Sequence, residues 1–327
     1  MATSGQYVFN LTKNQIITRS LQMINVNDIN ETANTDDFSF ASDLLNMMLK
    51  AWEAEPGMHL WKRRLAALFP QVGQNSYQLG SVTGADNCAI TYVATTSTAA
   101  TSGSTIVLST ITGMTALDNI GIELANGTRQ WTTIVSINSG TKTVTLNASV
   151  TSTASSGATV ITYTTLINRP LRILRGTLLD LSNSNTEVTM QDISYDEYFS
   201  FPIKSNPGRP NNFYYDRLLG NSLPYTGTLY VYPTPDSVNR LIVFSYCDSI
   251  QDMLNNGDTL DLPQEWLLSI TANLAVLLGK WGYGKFQELQ ALEPTAQMYK
   301  EQMLDFDSDD SDITFKMDLN SQGINRP

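Results

Sequence analysis

Side chains that could perform nucleophilic or metal-dependent chemistry are few in this sequence. The chain has one histidine, His59, and two cysteines, Cys88 and Cys247. A Ser-His-Asp or Cys-His arrangement could be built only around His59, and these three residues cannot form a usual cysteine- or histidine-ligated zinc site. We therefore predict no nucleophilic enzyme and no metal centre, and we interpret His59 as a surface or packing residue.

Carboxylate pairs are the remaining catalytic candidates, because two facing carboxylates can hydrolyse a glycosidic bond. Asp196-Glu197 and Asp236 offer such groups, but they also suit ordinary turns and helix starts. The glycines between Gly279 and Gly284 follow a predicted helix and do not have the spacing of a phosphate-binding loop. We expect no enzymatic activity and no cofactor, and a glycan hydrolase remains an alternative.

Basic residues form two short clusters, Lys62-Arg63-Arg64 and the set Arg169, Arg172 and Arg175. The chain carries 20 basic and 31 acidic residues, a net charge of −11, which argues against holding a polyanion by net attraction. We favour a solvated face or intersubunit ion pairs for the clusters, and nucleic-acid contact remains the alternative.

Aromatic residues are concentrated between Phe213 and Tyr232. Phe213 to Tyr215, with Tyr225, Tyr230 and Tyr232, could form a ligand platform, although half-buried strands commonly use such residues for packing. We favour core or interface packing. Trp131, further upstream, is in phase with Val135 and Ile137, which favours a core position over an exposed sugar platform.

The C-terminal segment combines an acidic run with a strand pattern. Five aspartates lie between Asp305 and Asp312, and after them the apolar residues occupy alternate positions: Ile313, Phe315, Met317 and Leu319. We predict an extended, solvated linker followed by an arm that adds a strand to a sheet edge on a partner or a neighbouring subunit. A strand that closes on its own β body is the alternative.

Amphipathic helices are predicted near both ends of the chain. Thr12 with Gln15 fits a capping box, a second helix is expected to begin near Asp36 or Asp37, and Pro294 should kink or split the last helix. Four such helices would bury their apolar stripes in one antiparallel bundle. The predicted bundle core includes Leu45, Met48, Trp52, Trp266, Ile270, Leu274 and Leu277, with Trp281 on the same stripe. The stretch Leu267 to Leu278 is too short to span a bilayer, so we predict no membrane insertion.

The middle of the chain has the composition of an all-β domain. Residues 84–166 are rich in Thr, Ser, Val and Ile, and alternating apolar residues flank an Asn126-Gly127 turn, which predicts a hairpin. We expect an α+β fold: a body at 1–83 and 167–304 made of the helical bundle and a β-sheet, an inserted all-β sandwich or barrel at 84–166, and the acidic linker and arm at 305–327.

Several stretches of the chain are similar, in the same order, to those of a known family. They are residues 40–80, with Leu44 to Leu49, Trp52, Leu60-Trp61, Gly73-Gln74, Tyr77, Leu79 and Gly80 as matching positions; "DNIGIELANGTRQWTTIVSI"; and "RPLRIL", "GTLYVYPTPD" and "LPQEWLLSITANLAVLLG". The chain resembles the head-to-tail adaptor proteins, also called connector or tail accessory proteins, of short-tailed bacteriophages.

The resemblance implies a structural virion protein at the portal vertex, assembled in the host cytoplasm. It implies a ring of twelve copies that binds the portal protein above and a tail or nozzle protein below, and that extends the channel through which DNA passes without sequence-specific binding. A carbohydrate-binding adhesin of a phage tail, or a tail-associated glycan hydrolase, is the alternative. The Asp-rich segment, Pro294 and the Ser/Thr-rich residues Thr95 to Thr105 depart from the family pattern.

Overall fold

A computed structural model describes residues 5, 8–31, 33–55, 62–217 and 226–306. The contacts divide the chain into two compact units, a helical unit from 1–61 and 250–327 and a β unit from 62–249. This division differs from the ranges expected from sequence, because the body sheet belongs to the same unit as the insert. Helices and strands together make an α+β protein, as expected.

The helical unit contains four long helices: α1 (Lys13–Met23), α2 (Thr35–Glu53), α4 (Trp266–Leu278) and α5 (Phe286–Phe306). A short helix, α3 (Tyr195–Ser200), belongs to the β unit. The capping box predicted at α1 is present, with Thr12 and Gln15 exchanging hydrogen bonds. Helix α2 begins at Thr35, one or two residues before the expected start, and its cap is Asn34, which accepts a hydrogen bond from the Asp37 N–H.

The apolar sides of these helices share one core. Leu45, Met48, Trp52, Trp266, Ile270 and Leu274 are buried in it, and the Trp52 and Trp266 ring centroids lie 6.2 Å apart. Leu277 is only partly buried at its margin. Polar groups join the segments: the buried Ser20 hydroxyl donates to the Thr271 carbonyl at 2.9 Å, and the Lys13 ammonium donates to the Met253 carbonyl at 2.8 Å.

Two expectations about these helices are corrected. The helix α5 is not split at Pro294 but runs through it. Pro294 lies on the exposed side of α5, where water can hydrate the carbonyl that has lost its donor. Trp281 is not buried but exposed. Among the described residues no helix has both the length and the apolar character needed to cross a membrane.

The β unit is built on an eight-stranded sheet of order β2-β14-β13-β11-β10-β16-β1-β3, in which only β11 and β13 are parallel. Its strands are β1 (Arg63–Leu68), β2 (Ser76–Leu79), β3 (Cys88–Ala89), β10 (Arg172–Asp180), β11 (Thr186–Asp192), β13 (Asn212–Asp216), β14 (Gly227–Tyr232) and β16 (Arg240–Cys247). The short strands β12 (Pro207–Gly208) and β15 (Thr234–Pro235) pair separately.

The insert is a six-stranded, nearly closed sheet of order β4-β9-β6-β7-β8-β5. Its strands are β4 (Val93–Thr96), β5 (Thr105–Val107), β6 (Asn119–Glu123), β7 (Arg129–Asn138), β8 (Thr143–Leu146) and β9 (Thr159–Tyr163). Hydrogen bonds from Thr98 to Val107 and from Ser109 to Thr96, both 2.9 Å, connect the two edge strands. The predicted Asn126-Gly127 turn joins β6 to β7, with Gly127 at a φ of 82°.

Three sets of predicted residues lie outside the described residues. They are His59, Tyr225, and the arm positions Ile313, Phe315, Met317 and Leu319.

Candidate interaction surfaces

A wide turn connects α4 to α5 and carries exposed aromatic side chains. The chain continues from α4 into a π-helical turn, Gly279–Tyr283, and ends it at Gly284, which adopts a φ of 62°. In a regular α-helix Trp281 would lie on the same face as the buried residues Leu274 and Leu278. The wider π-turn shifts Trp281 out of that register, so that its side chain is 73% exposed.

Glycines at the turn make room for neighbouring side chains. A Cβ atom on Gly279 would lie 2.9 Å from Leu289, and one on Gly282 would lie 2.9 Å from Phe40. Phe40 is itself partly exposed, and Phe286, two residues after the turn, is 63% exposed. We call Phe40, Trp281 and Phe286 the aromatic corner of the helical unit.

Hydrogen bonds hold the aromatic corner in place. The Tyr283 hydroxyl donates to the Asp37 carboxylate at the start of α2, and Lys285 donates to the Asn25 carbonyl at 3.3 Å. Burial and the Asp37 carboxylate both raise the pKa of Tyr283. The corner is therefore held by contacts with α2 and with Asn25, which follows α1, and is not a frayed helix end.

A second surface lies on the body sheet and carries arginines. Across β1, β16 and β10, Arg63, Cys247 and Arg172 lie in one row, and Leu65, Ser245 and Arg175 in the next. Residues in register point to the same face, and a bulge between Ile173 and Arg175 keeps both arginines of β10 on it. We call Arg63, Leu65, Arg172, Arg175 and Ser245 the arginine face.

The insert covers one part of this sheet face, and the three arginines lie outside that part, although Cys247 between Arg63 and Arg172 is buried. The next rows, with Ala67, Val243, Leu179 and Leu241, pack with Phe69, Ile161, Tyr163 and Trp131 of the junction with the insert. On the arginine face, by contrast, all three arginines are exposed and Leu65 is 64% exposed. Burial raises the pKa of Asp192, and the charges of Arg172 and Arg217 act in the opposite direction, so Arg172 has an acidic neighbour.

An aromatic cluster covers the outer side of β13 and β14. Helix α3, capped by Ser194 and Glu197, places its rings over those of the two strands. Tyr198 is buried, with its ring centroid 5.0 Å from that of Tyr230. The contacting rings are Tyr195, Tyr198, Phe199, Phe201, Tyr214, Tyr230 and Tyr232. Most of these aromatic surfaces pack against one another; of the seven rings, Tyr195 and Phe199 are partly exposed and the others are buried to a greater extent.

A polar contact fixes the insert to the body sheet. Gln71 bonds both backbone groups of Arg129, and the Asn239 amide donates to Glu123 at 2.8 Å. The Arg129 side chain is buried, and its Nε and Nη1 atoms have no protein acceptor. Burial lowers the pKa of Arg129 to about 10, although the Glu123 carboxylate acts in the opposite direction. An open cleft of about 520 Å³, lined by Glu123, Asn239 and hydroxyl side chains, lies beside this contact.

The catalytic candidates from sequence are not brought together. Glu197 is used in the cap of α3, and Asp236 pairs with Arg240. Cys88 and Cys247 are buried, and burial, followed by the Asp86 carboxylate, raises the pKa of the Cys88 thiol. No group of three or more His, Cys, Asp or Glu side chains that could hold a metal occurs among the described residues.

The sequence analysis missed two features of these surfaces, the aromatic cluster and the π-turn. The α3 residues Tyr195, Tyr198 and Phe199 are spaced at three and four residues, a helical signal that could have joined them to the tyrosines of β13 and β14. The π-turn at Gly279–Tyr283 has no sequence signal beyond its glycines.

Trp131 lies in the junction core with Phe69 and Tyr163, at ring-centroid distances of 5.5 Å.

Comparison with known proteins gives no family. No protein-family model and no curated protein matches the sequence. Among solved structures, the chain has a weak likeness to VP17, a capsid protein of bacteriophage P23-77, with 11% sequence identity over 56% of this chain and 79% of that chain, and a TM-score of 0.12. A likeness at this level carries no argument about fold or function.

Proposed function

We propose that this chain is a structural virion protein, a ring-forming adaptor that joins the portal to the tail and extends the DNA channel. In this proposal the helices from both chain ends act as one antiparallel bundle that forms subunit contacts, and about twelve copies surround the channel. The portal protein and a downstream tail or nozzle protein are its partners. The resemblance in sequence supports the adaptor family, and the exposed aromatic corner supports a role in the assembly of subunits.

The aromatic corner is the observation that carries the proposal. Large aromatic side chains that are exposed together favour a protein interface, because aromatic residues are enriched at the buried centres of interfaces. Trp281 is exposed through a specific backbone feature, the π-turn, and Phe286 follows it directly. A protein that acted as a monomer would gain by burying Trp281 on the regular face of α4.

The test is assembly of the full chain with Trp281→Ser and Phe286→Ser introduced together. We expect the unaltered protein to form coaxial rings on purified portal in electron micrographs, and the double variant to lose them. Val135→Ser is a matched control, because Val135 is also exposed but lies on the insert. Rings of unchanged occupancy in the double variant would contradict the role of the corner, and the absence of rings from the unaltered protein would contradict the proposed function.

A carbohydrate-binding adhesin, the alternative function, would need exposed aromatic side chains on the insert to bind sugars. The insert is completely described, and its aromatic residues are Tyr92, Trp131 and Tyr163. All three contact Phe69 at the junction with the body sheet. Glycan binding without any portal, measured by calorimetry, would nevertheless favour the adhesin over the adaptor. Release of glycan fragments would favour the hydrolase.

A further inference from the structure

The body sheet opens at the point where β11 ends. Strand β11 lies between β10 and β13 and pairs with both of them. Its last pair joins Asp192 to Phe213, and the chain then leaves the sheet, because Ser194 is already the cap of α3. The first residues of β10 and the last residues of β13 therefore have no strand between them. A cleft of about 210 Å³ lies there, and we call it the β11 cleft.

The β11 cleft combines buried apolar side chains with exposed charged ones. Its buried lining residues are Ile173, Ile193, Phe213 and Tyr215. Its charged lining residues are Arg172, Asp192 and Arg217, all of which are exposed. The Tyr215 hydroxyl is already used, because it donates to the Pro170 carbonyl at 2.6 Å. The charged groups are therefore the ones that can recognise a ligand.

The two arginines of the cleft have donors to spare. Among the residues that the structure describes, neither the Arg172 nor the Arg217 guanidinium takes part in a hydrogen bond or an ion pair. Burial raises the pKa of Asp192 and both arginines oppose that effect, so both lie within electrostatic reach of one carboxylate. Arg169 adds a third positive charge, since its Nη1 atom donates to the Arg217 carbonyl at 3.4 Å. The cleft is a locally positive place in an acidic chain.

We propose that the β11 cleft binds inorganic phosphate through Arg172, Arg217 and Asp192. This site goes beyond the proposed adaptor function and does not depend on ring formation. The size of the cleft agrees with a small ion, because sites for larger organic ligands usually enclose about 300–1,000 Å³.

The mixture of charges selects phosphate among oxyanions. Guanidinium groups only donate hydrogen bonds, whereas an ionised Asp192 only accepts them. A ligand that satisfies all three groups must present several acceptor oxygens and also one O–H donor. Inorganic phosphate keeps at least one proton at neutral pH and meets this requirement. Its oxygens suit the paired N–H groups of arginine.

Other anions fail the same requirement. Sulfate and a phosphodiester have no proton to donate at neutral pH, so either would face the Asp192 carboxylate with a negative oxygen. A phosphate monoester loses its last proton at a pKa of about 6 and is mostly in the same position. DNA is further disfavoured by the net charge of the chain, −11.

The first test is isothermal titration calorimetry of the full chain with inorganic phosphate, at neutral pH and constant ionic strength. We expect saturable binding of one phosphate per chain. Arg172→Gln and Arg217→Gln should each weaken the affinity about tenfold or more, because each removes charge-assisted hydrogen bonds. The matched control is Arg175→Gln, which removes the same charge from an exposed position on β10 that does not line the cleft, and it should change the affinity little.

The second test measures selectivity with sulfate, dimethyl phosphate and ribose 5-phosphate as competing probes. In the unaltered protein each should bind about tenfold or more weakly than inorganic phosphate, because each lacks the proton that Asp192 accepts. Asp192→Asn replaces the carboxylate by an amide that can donate, so the affinity for sulfate should rise towards that for phosphate. A purely structural role of Asp192 would not change this preference.

Four outcomes would overturn the inference. The first is no saturable phosphate binding by the unaltered protein. The second is an equal loss of affinity in Arg175→Gln, which would show a general effect of charge. The third is equal affinity for sulfate and phosphate in the unaltered protein, which decides the question even if a variant does not fold. The fourth is tighter binding of dimethyl phosphate or of a DNA oligonucleotide, which would assign the cleft to a phosphodiester.

Discussion

Replacing Arg129 by methionine should stabilise the β unit, although it removes a charged residue that joins the insert to the body sheet. Arg129 is 3% exposed, and burial lowers its pKa from 12.5 to about 10. A shift of this size corresponds to about 3 kcal/mol by which the charged form is less stable in the folded than in the unfolded chain. Because the folded pKa is the lower one, the penalty is fully present at neutral pH and decreases only above about pH 10.

The interactions lost with Arg129→Met are weak. The Nη2 group makes one hydrogen bond at 3.5 Å, to Asn239, while the Nε and Nη1 atoms have no protein acceptor. Losing that bond costs about 1 kcal/mol. The hydrogen bonds with Gln71 involve the backbone of residue 129 and survive the change, and methionine can keep the apolar contact over Gly121. We expect a net stabilisation of about 1–2 kcal/mol.

The assay is hydrogen–deuterium exchange of peptides from β6 and β7 along a urea series, which reports the unfolding of the insert within the full chain. Arg240→Met is the matched control and should destabilise the same unit by about 1–2 kcal/mol, because Arg240 pairs with both Asp180 and Asp236. The hydrogen bonds of Arg240 and Ser182 to Asp180 outweigh the effect of burial and lower the pKa of that carboxyl. A loss of more than about 1 kcal/mol in Arg129→Met would refute the reasoning.

Three further results are expected. Asn34→Ala should lower the free energy of unfolding of the helical unit by about 1 kcal/mol in thermal denaturation, because it removes the cap of α2, whereas Asn34→Asp should not. Gly121→Ala should destabilise the insert by about 1–3 kcal/mol, because the new Cβ atom would lie 2.7–2.8 Å from the side chains of Trp131 and Arg129; Gly103→Ala, at an open position, should have little effect in the same urea experiment. Cys88 and Cys247 should resist a thiol reagent in the native protein and react in denaturant, since both are buried; rapid native labelling would contradict their burial.

Local features of the sequence predicted local features of the structure. The Thr12 to Gln15 spacing predicted a capping box, and the Asn126-Gly127 pair predicted the turn between β6 and β7. Both depend on backbone groups a few residues apart, so the sequence contains all the necessary information. The α+β class also followed from periodicity, because the terminal segments have helical spacing and residues 84–166 have strand composition.

Features that depend on register or on tertiary packing were not predictable in the same way. The arginine face needs the pairing of β1, β16 and β10 and the bulge before Arg175, and none of these is encoded near Arg63 or Arg172. The cap of α2 was misplaced because Asn34, Asp36 and Asp37 are all good cap residues. The path of α5 through Pro294 depends on that proline facing outward, which requires knowledge of how the helix packs.

The error at Trp281 shows how a deviation from a regular pattern can indicate a surface. Helical periodicity places Trp281 with Leu274 and Leu278, and a regular α4 would satisfy that pattern. The chain instead forms a π-turn, in which Gly279 and Gly282 admit Leu289 and Phe40. These contacts stabilise the turn, but they do not explain why a tryptophan occupies the position that the turn exposes. A partner that buries Trp281 would explain it, which is why assembly and folding should respond separately to changes at this residue.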